Sequence, residues 1–289
     1  MRLNCHLSVV ARGAEASADG LQADRLWERV RTEAAAALAG APMLGPLFAE
    51  SVLNQPCLEA AAFHRIASRL CTETVALPLL VETFARAAAA DHTICEGVRA
   101  DLSAVIERDP ACARAIEPLL YFKGFHAIQT HRLAHYLWGA GERDFALYLQ
   151  SRSSEVFQTD IHPAAKFGLG IFLDHATGLV VGETAEVADE VSMLQDVTLG
   201  GTGKETCDRH PKIRRGALIG AGAKILGNIE VGEYARIASG SVVLHRVPAY
   251  STVAGIPAKV IKSGGSSDQT SRMDQALSDL SYESFAYSI

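Results

Sequence analysis

The sequence predicts an all-α N-terminal domain, a parallel β-helix of hexapeptide repeats behind it, and a flexible C-terminal tail. Three observations carry that expectation. Ile213, Ile219, Ile225, Val231, Ile237 and Val243 follow one another at steps of six, every one a β-branched aliphatic residue. Ahead of residue 158 strand formers are scarce, and Ala, Leu, Glu and Arg dominate, a composition whose summed helix propensity is informative. Beyond Ile261 the chain reads Lys262-Ser263-Gly264-Gly265-Ser266-Ser267-Asp268, a flexible linker composition.

Taken in order, residues 1–20 read as a loose arm rich in Ala, Gly and Ser. A helical domain is expected over 21–158. Asp24 can cap a first helix through an Ala-rich run that stops at Gly40-Ala41-Pro42. Further helices are predicted at about Leu58 to Thr74, Leu79 to Ala90 and Val98 to Glu107. Asp109-Pro110 reads as a local start, an acidic N-cap followed by Pro at the first helical position. Amphipathic segments from Lys123 to Trp138 and from Glu142 to Phe157 complete the domain.

The β-helix is expected over 159–262. Four residues after each β-branched position stands Ala217, Ala223, Ile229, Ala235, Ser241 or Val247, a second inward column. Upstream the beat runs through Ile161, Phe167 and Leu173, then through Val181, Val187, Met193 and Leu199. Stacked coils of this kind bury one continuous core that a single repeat cannot. The helical half is placed to cap one open end of the coil. Between Leu199 and Ile213 the beat pauses for a polar excursion, Gly200 to Pro211, the first place to look for chemistry on a rigid scaffold. The tail, 263–289, is polar and acidic but ends on Phe285, Ala286, Tyr287, Ser288 and Ile289, which suggests a docking peptide.

Composition narrows the function classes. A formal charge of −6 without a Lys/Arg cluster argues against a nucleic-acid partner. No uninterrupted apolar run approaches the roughly 20 residues of a membrane span. The six cysteines include no C-x-x-C pair, which fits reduced thiols and a cytoplasmic location. Glu15 and Asp19 argue against a cleaved targeting peptide in the first twenty residues.

Of ten histidines, those set against the coil are His162, His175, His210 and His245. Asp160 and His175 lie fifteen residues apart, close to three hexapeptides, so they fall on neighbouring coils near one corner. There a carboxylate would hold an imidazole as general base near neutral pH. A surface His beside an unrelated Asp fits the spacing equally well. A metal site needs closely spaced ligands, and the coil's histidines are widely separated. His126, His131 and His135 are tighter but read as helix-surface or satisfied core residues. Thr198 and Glu205 break the pattern of a phosphate-binding loop around Gly203-Lys204, which discards an NTPase.

Four ordered motifs carry a more specific likeness: Asp160-Ile161-His162-Pro163-Ala164-Ala165, Leu173-Asp174-His175-Ala176-Thr177-Gly178, Thr198-Leu199-Gly200-Gly201-Thr202-Gly203-Lys204 and Asp208-Arg209-His210-Pro211-Lys212-Ile213. With Arg108-Asp109-Pro110 and Leu119 to His126, they resemble serine O-acetyltransferases of the hexapeptide-repeat acyltransferase family, closely over residues 95–262. The resemblance implies a left-handed β-helix and acetyl transfer from acetyl-CoA, as co-substrate, to the L-serine hydroxyl, the first step of cysteine biosynthesis. No metal is implied.

By the same resemblance His175 is the base and Asp160 its orienting carboxylate. Asp109 and Asp174 would meet the serine amino group, and Arg209 and His210 its carboxylate. Gly201 and Thr202 would lie near the thioester, Ala221 and Ala223 along the pantetheine arm, and Lys259 at a phosphate. L-Cysteine is implied as a feedback inhibitor. Trimers would form through the β-helix and pair into hexamers through the helical domains. Ile289 would dock into O-acetylserine sulfhydrylase. The long N-terminal arm and Cys207 beside Arg209 depart from the family pattern. A hexapeptide acyltransferase for another acceptor, or a non-catalytic scaffold presenting the tail, are the competing readings.

Overall fold

The structure is a computed structural model describing residues 18–204 and 206–275. The helical half contains α1 (Ala18–Gly40), α2 (Gly45–Phe48), α3 (Leu58–Leu70), α4 (Leu77–Ala90), α5 (Thr93–Arg108), α6 (Ile116–Leu120), α7 (Lys123–Gly139) and α8 (Arg143–Phe157). Single turns over Pro42–Leu44 and Ala49–Leu53 flank α2.

Three boundaries differ from expectation for local reasons. The first helix begins at Ala18, ahead of Asp24. The third stops at Leu70, because Cys71 turns extended and Thr72 donates its amide to Val75 O. The fifth begins five residues before Val98, where the Asp91 carboxylate accepts both the amide and the hydroxyl of Thr93. Asp109-Pro110 starts no helix. Asp109 is the C-cap of α5, and its carboxylate accepts the Ala111 amide at 2.8 Å, closing a turn that leads to α6.

The helical core gathers Phe63, Phe84, Leu102, Phe125 and Phe157, with Phe63 and Phe84 stacked at 4.8 Å. Of the three helical histidines, His126 is buried and has both nitrogens bonded, to Arg69 and to Leu119 O. His131 is buried and donates Nε2–H to Ala165 O, with no hydrogen-bond partner at Nδ1 among the described residues. His135 is exposed and donates from Nδ1 to Pro163 O.

The chain then winds into a parallel solenoid. Its first coil holds β1 (Thr159–Ile161), β2 (Lys166–Phe167) and β3 (Phe172–Leu173), and its second β4 (Leu179–Val181), β5 (Glu186–Val187) and β6 (Ser192–Met193). The third holds β7 (Thr198–Gly200), β8 (Lys212–Ile213) and β9 (Leu218–Ile219), and the fourth β10 (Lys224–Leu226), β11 (Glu230–Val231) and β12 (Arg236–Ile237). The last carries β13 (Val242–Val243) and β14 (Thr252–Gly255), and β15 (Ala258–Lys262) turns back antiparallel on β14.

The beat of six resolves into three ladders. Ile161, Val181, Leu199, Ile225 and Val243 stack on face A; Phe167, Val187, Ile213 and Val231 on face B; Leu173, Met193, Ile219, Ile237 and Val253 on face C. Apart from the partly buried Phe167, these side chains are buried, each contributing roughly 1.5–3 kcal/mol of transfer free energy. The second column is buried at Ala217, Ala223, Ala235, Ser241 and Val247, with Ile229 only partly so. The polar excursion leaves after β7 and returns at β8 in register, Val187 opposite Ile213.

The helical domain is joined to the first coils by buried polar contacts. Fully buried Asp101 accepts the Ile171 amide, Gln129 and Arg132, and Arg132 also donates to Gly168 O. Arg108 donates to Gly170 O and Ser192 Oγ. Ile128 of α7 enters the solenoid's own core. Within the stretch expected as tail, Ser267–Ser271 form α9, and Asp274 pairs with Arg236 on face C. Residues 1–17 of the arm and the terminal segment carrying Ile289 lie outside the described residues.

Candidate active site

The predicted site residues fall on two edges of the triangular prism. The edge between faces C and A carries the turn Asp174-His175-Ala176-Thr177-Gly178. His175 and Ala176 both adopt left-handed backbone, at φ 55° and 59°. That conformation is uncommon outside glycine and costs about 1–2 kcal/mol per residue. Packing holds it: the Ala176 methyl is buried in the solenoid core, Asp174 N donates to Met193 O, and Thr177 O accepts Asp196 N. The turn thereby pushes the His175 imidazole into solvent, with Nε2 3.8 Å from Asp174 Oδ1.

Asp174 is half-buried beside Asp109, which arrives from the end of α5. Burial raises the Asp174 pKa; His175 counteracts this, and the Asp109 carboxylate raises it further. The Asp109 charge that disfavours ionised Asp174 is offset when a cation joins them. This edge therefore offers an exposed imidazole next to a site for an ammonium group.

Asp160 lies in the middle of β1, pointing outward onto an open concavity of about 430 Å³ between α8 and the coil. Its Oδ1 accepts Gln150 Nε2 at 2.6 Å. Gly178 N donates to Gln158 O, which puts the Asp160 strand and the His175 turn side by side at one corner. No hydrogen bond joins the two side chains among the described residues.

The edge between faces A and B carries His162, Glu183, Thr184, Arg209 and His210. Thr184 is its hub, with Oγ1 accepting the amides of Arg209 and His210 at 3.0 and 3.1 Å. His210 Nδ1 accepts the Thr184 amide, which leaves its proton on Nε2. Burial foremost, then the Arg209 charge, lowers the His210 pKa and favours the neutral ring. Arg209 Nη2 donates to Glu183 Oε2 at 2.7 Å, and Lys212 and Asn228 hold Asp208 behind it. The excursion thus presents a guanidinium and an imidazole N–H on a braced loop, a donor set for a carboxylate.

The three residues of β4 separate Gly178 on one edge from Gly182 on the other, four steps or roughly 13 Å at about 3.3 Å per residue. Asp109, Asp174 and His175 come together in the single chain; Arg209 and His210 come together on the other edge. The two groups do not meet.

The remaining candidates divide in the same way. Gly201 and Thr202 open the excursion on the A–B edge. Ala221 is half-buried on the C–A edge, below His175 along the ladder Asp196 N to Thr177 O, Gly222 N to Gln195 O and Gly240 N to Ala221 O. Ala223 requires a correction: its side chain is fully buried in the prism and cannot line an outer groove. Lys259 is exposed on β15, opposite Ala254 at the far end of the same edge.

Sequence reasoning missed Lys123, Gln150, Glu183 and Thr184, which hold the predicted residues in place. Only Glu183 and Thr184 left a signal, at the turn position where Pro163-Ala164 stands one coil earlier. Among the described residues no group of three or more His, Cys, Asp or Glu is arranged to hold a metal, and no helix is long and apolar enough to cross a membrane.

Residues 26–130 match the family described as serine acetyltransferase, N-terminal, and residues 210–245 match the bacterial transferase hexapeptide repeat. The chain is 47% identical over 262 residues to a serine acetyltransferase of Salmonella typhimurium, covering 91% of this chain and 96% of that one. It superposes on the serine acetyltransferase of Brucella abortus in complex with coenzyme A with a TM-score of 0.83 and 58% identity, over 85% of this chain and 98% of the other. A serine acetyltransferase in complex with cysteine matches with a TM-score of 0.85 and 47% identity, over 88% and 98%.

Proposed function

The chain belongs to the serine acetyltransferase family and is an acyltransferase, and we propose that it moves the acetyl group of acetyl-CoA onto the hydroxyl of L-serine. The observation that carries this reading is the exposed His175 imidazole beside the Asp109 and Asp174 carboxylates. The serine ammonium neutralises the two carboxylates and brings Oγ to the imidazole. His175 takes the Oγ proton as Oγ attacks the thioester carbonyl carbon. The tetrahedral intermediate then collapses, the carbon–sulfur bond breaks, and the imidazolium returns its proton to the leaving CoA sulfur. Asp160 stabilises the imidazolium once its carboxylate turns from Gln150 toward the ring. Amides at Gly201 and Thr202 suit the developing oxyanion when a neighbouring subunit brings its A–B edge to His175.

Arg209 and His210 suit the serine carboxylate but sit on the other edge of the prism. A complete site therefore takes the C–A edge of one subunit and the A–B edge of a neighbour, which a trimer about the solenoid axis supplies three times. Pairing of trimers through the helical domains gives the hexamer. Acetyl-CoA lies along the C–A groove, past Ala221 toward Lys259. L-Cysteine, shaped like serine, occupies the serine site and inhibits; the relative solved with cysteine supports this. The C-terminal Ile289 docks into O-acetylserine sulfhydrylase, and the reaction takes place in the cytoplasm.

The test is thiol release from acetyl-CoA, measured with and without L-serine and with added L-cysteine, alongside His175→Ala. Serine-dependent release, suppressed by cysteine and reduced about 100- to 10,000-fold by the substitution, is expected. Release from a well-folded oligomer that is independent of serine, or that His175→Ala leaves near normal, would refute the reading.

A further inference from the structure

We propose that Lys123 is a positioning residue for the acid–base pair: its ammonium ties the residue two before Asp160 to the residue two after His175. The inference rests on the reading of His175 as base and deepens it. Lys123 opens α7, and its Nζ donates to Gln158 Oε1 at 3.0 Å and to Thr177 Oγ1. Gln158 closes α8 in a left-handed conformation and runs directly into β1; Thr177 follows the two left-handed residues of the base turn. One backbone bond, Gly178 N to Gln158 O, runs parallel to the lysine bridge. Together they set where the His175 turn sits relative to the Asp160 strand.

The base of the lysine is itself fixed. A Cβ on Gly124 would stand 1.9 Å from Leu173 O, so the first turn of α7 lies backbone to backbone on β3, two residues before His175. The head group has an unusual pair of partners. Among the described residues both are neutral side-chain oxygens, and no carboxylate pairs with it. Burial foremost, with the Arg69 charge adding to it, lowers the Lys123 pKa. A lysine held only for solubility keeps its head in water; this one is partly buried and reaches across the corner to both oxygens.

The consequence is catalytic because the His175 side chain stands about three-quarters exposed, so its placement follows the backbone of its turn. A misplacement of about 1 Å in a reacting group is enough to cost on the order of 100-fold in rate. Gln150 holds Asp160 from the α8 side, and Lys123 holds the turn from the α7 side. The helical domain thus contributes the geometry of the pair without touching substrate.

The experiment measures kcat and KM for serine and for acetyl-CoA in the full-length oligomer carrying Lys123→Met or Lys123→Arg, with wild type and His175→Ala in parallel. Lys123→Met is expected to lower kcat about 10- to 100-fold, leave both KM values within about twofold, and keep oligomer size. Lys123→Arg, able to donate to both oxygens, restores most of the loss. A kcat within twofold of wild type, a loss confined to KM, or no rescue by Arg overturns the inference. Should Lys123→Met not fold, Thr177→Val removes one acceptor and must show a smaller loss in kcat alone. A serine-dependent wild type with a dead His175→Ala and a normal Lys123→Met sinks the positioning role only. An inactive wild type or an active His175→Ala sinks the reading beneath it as well.

Discussion

His126 is the residue whose protonation folding forbids. Its two ring nitrogens are spoken for by the Arg69 guanidinium and the Leu119 carbonyl, and burial foremost pushes its pKa down to about 3. The unfolded chain protonates this ring below about 6.5, whereas the folded chain does not until near 3. Stability is therefore fully present above about pH 6.5 and falls as pH drops toward 3, by roughly 2 kcal/mol at pH 5 for this one group. Thermal midpoints taken from pH 7.5 to 5 should decline, and His126→Gln, which keeps a donor and an acceptor but cannot titrate, should flatten the decline. An equal slope in the variant would show that other groups carry it. The sequence placed His126 among helical histidines of surface or satisfied core type, and the structure selects core. It selects core for His131 as well, whose Nδ1 has no partner among the described residues, a detail that depends on which backbone carbonyl the ring meets across the domain junction.

Among elements, the contact of α7 with β3 bears most on function. Gly124 allows it, because any side chain there meets the Leu173 carbonyl. Gly124→Ala should lower stability by about 1–3 kcal/mol, the usual range for forcing bulk into a packed interface. It should also lower kcat, because the displaced strand leads directly into the His175 turn. Gly139→Ala at the other end of the same helix is the control: nothing lies within 4 Å of its added methyl, and no loss is expected. Thermal melts and turnover of the two variants separate a local clash from a general helix effect. The beat of six made the strands legible almost residue by residue, since each inward position has one acceptable chemistry. The helix ends were less legible. Asp109-Pro110 has the composition of an N-cap, yet the carboxylate closes a turn after α5, and only the packing of α5 against the coil decides between the two uses. Gln150 and Lys123 were invisible for a similar reason. A Gln or a Lys on an amphipathic helix reads as solvated surface until the neighbouring domain supplies its partners.

At the scale of the whole molecule, the division of the site between two edges predicts subunit complementation. His175→Ala removes the base from the C–A edge, and Arg209→Ala removes the carboxylate donor from the A–B edge; each alone should be nearly inactive. If one site takes its base from one subunit and its guanidinium from the next, a trimer mixed from the two variants contains sites with both groups intact. With equal amounts and random assembly, a given site draws an intact base with probability one half and an intact guanidinium with probability one half. Co-expressed variants should then recover about a quarter of wild-type activity. Mixing the separately purified oligomers should recover none until subunits exchange. Single-chain sites would give no recovery under either condition, because every chain lacks one group. The roughly 13 Å between the edges is what forces the choice: a molecule with an ammonium and a carboxylate on one carbon cannot reach both donor sets of a single chain, so activity regained by mixing would place the neighbouring subunit inside the site.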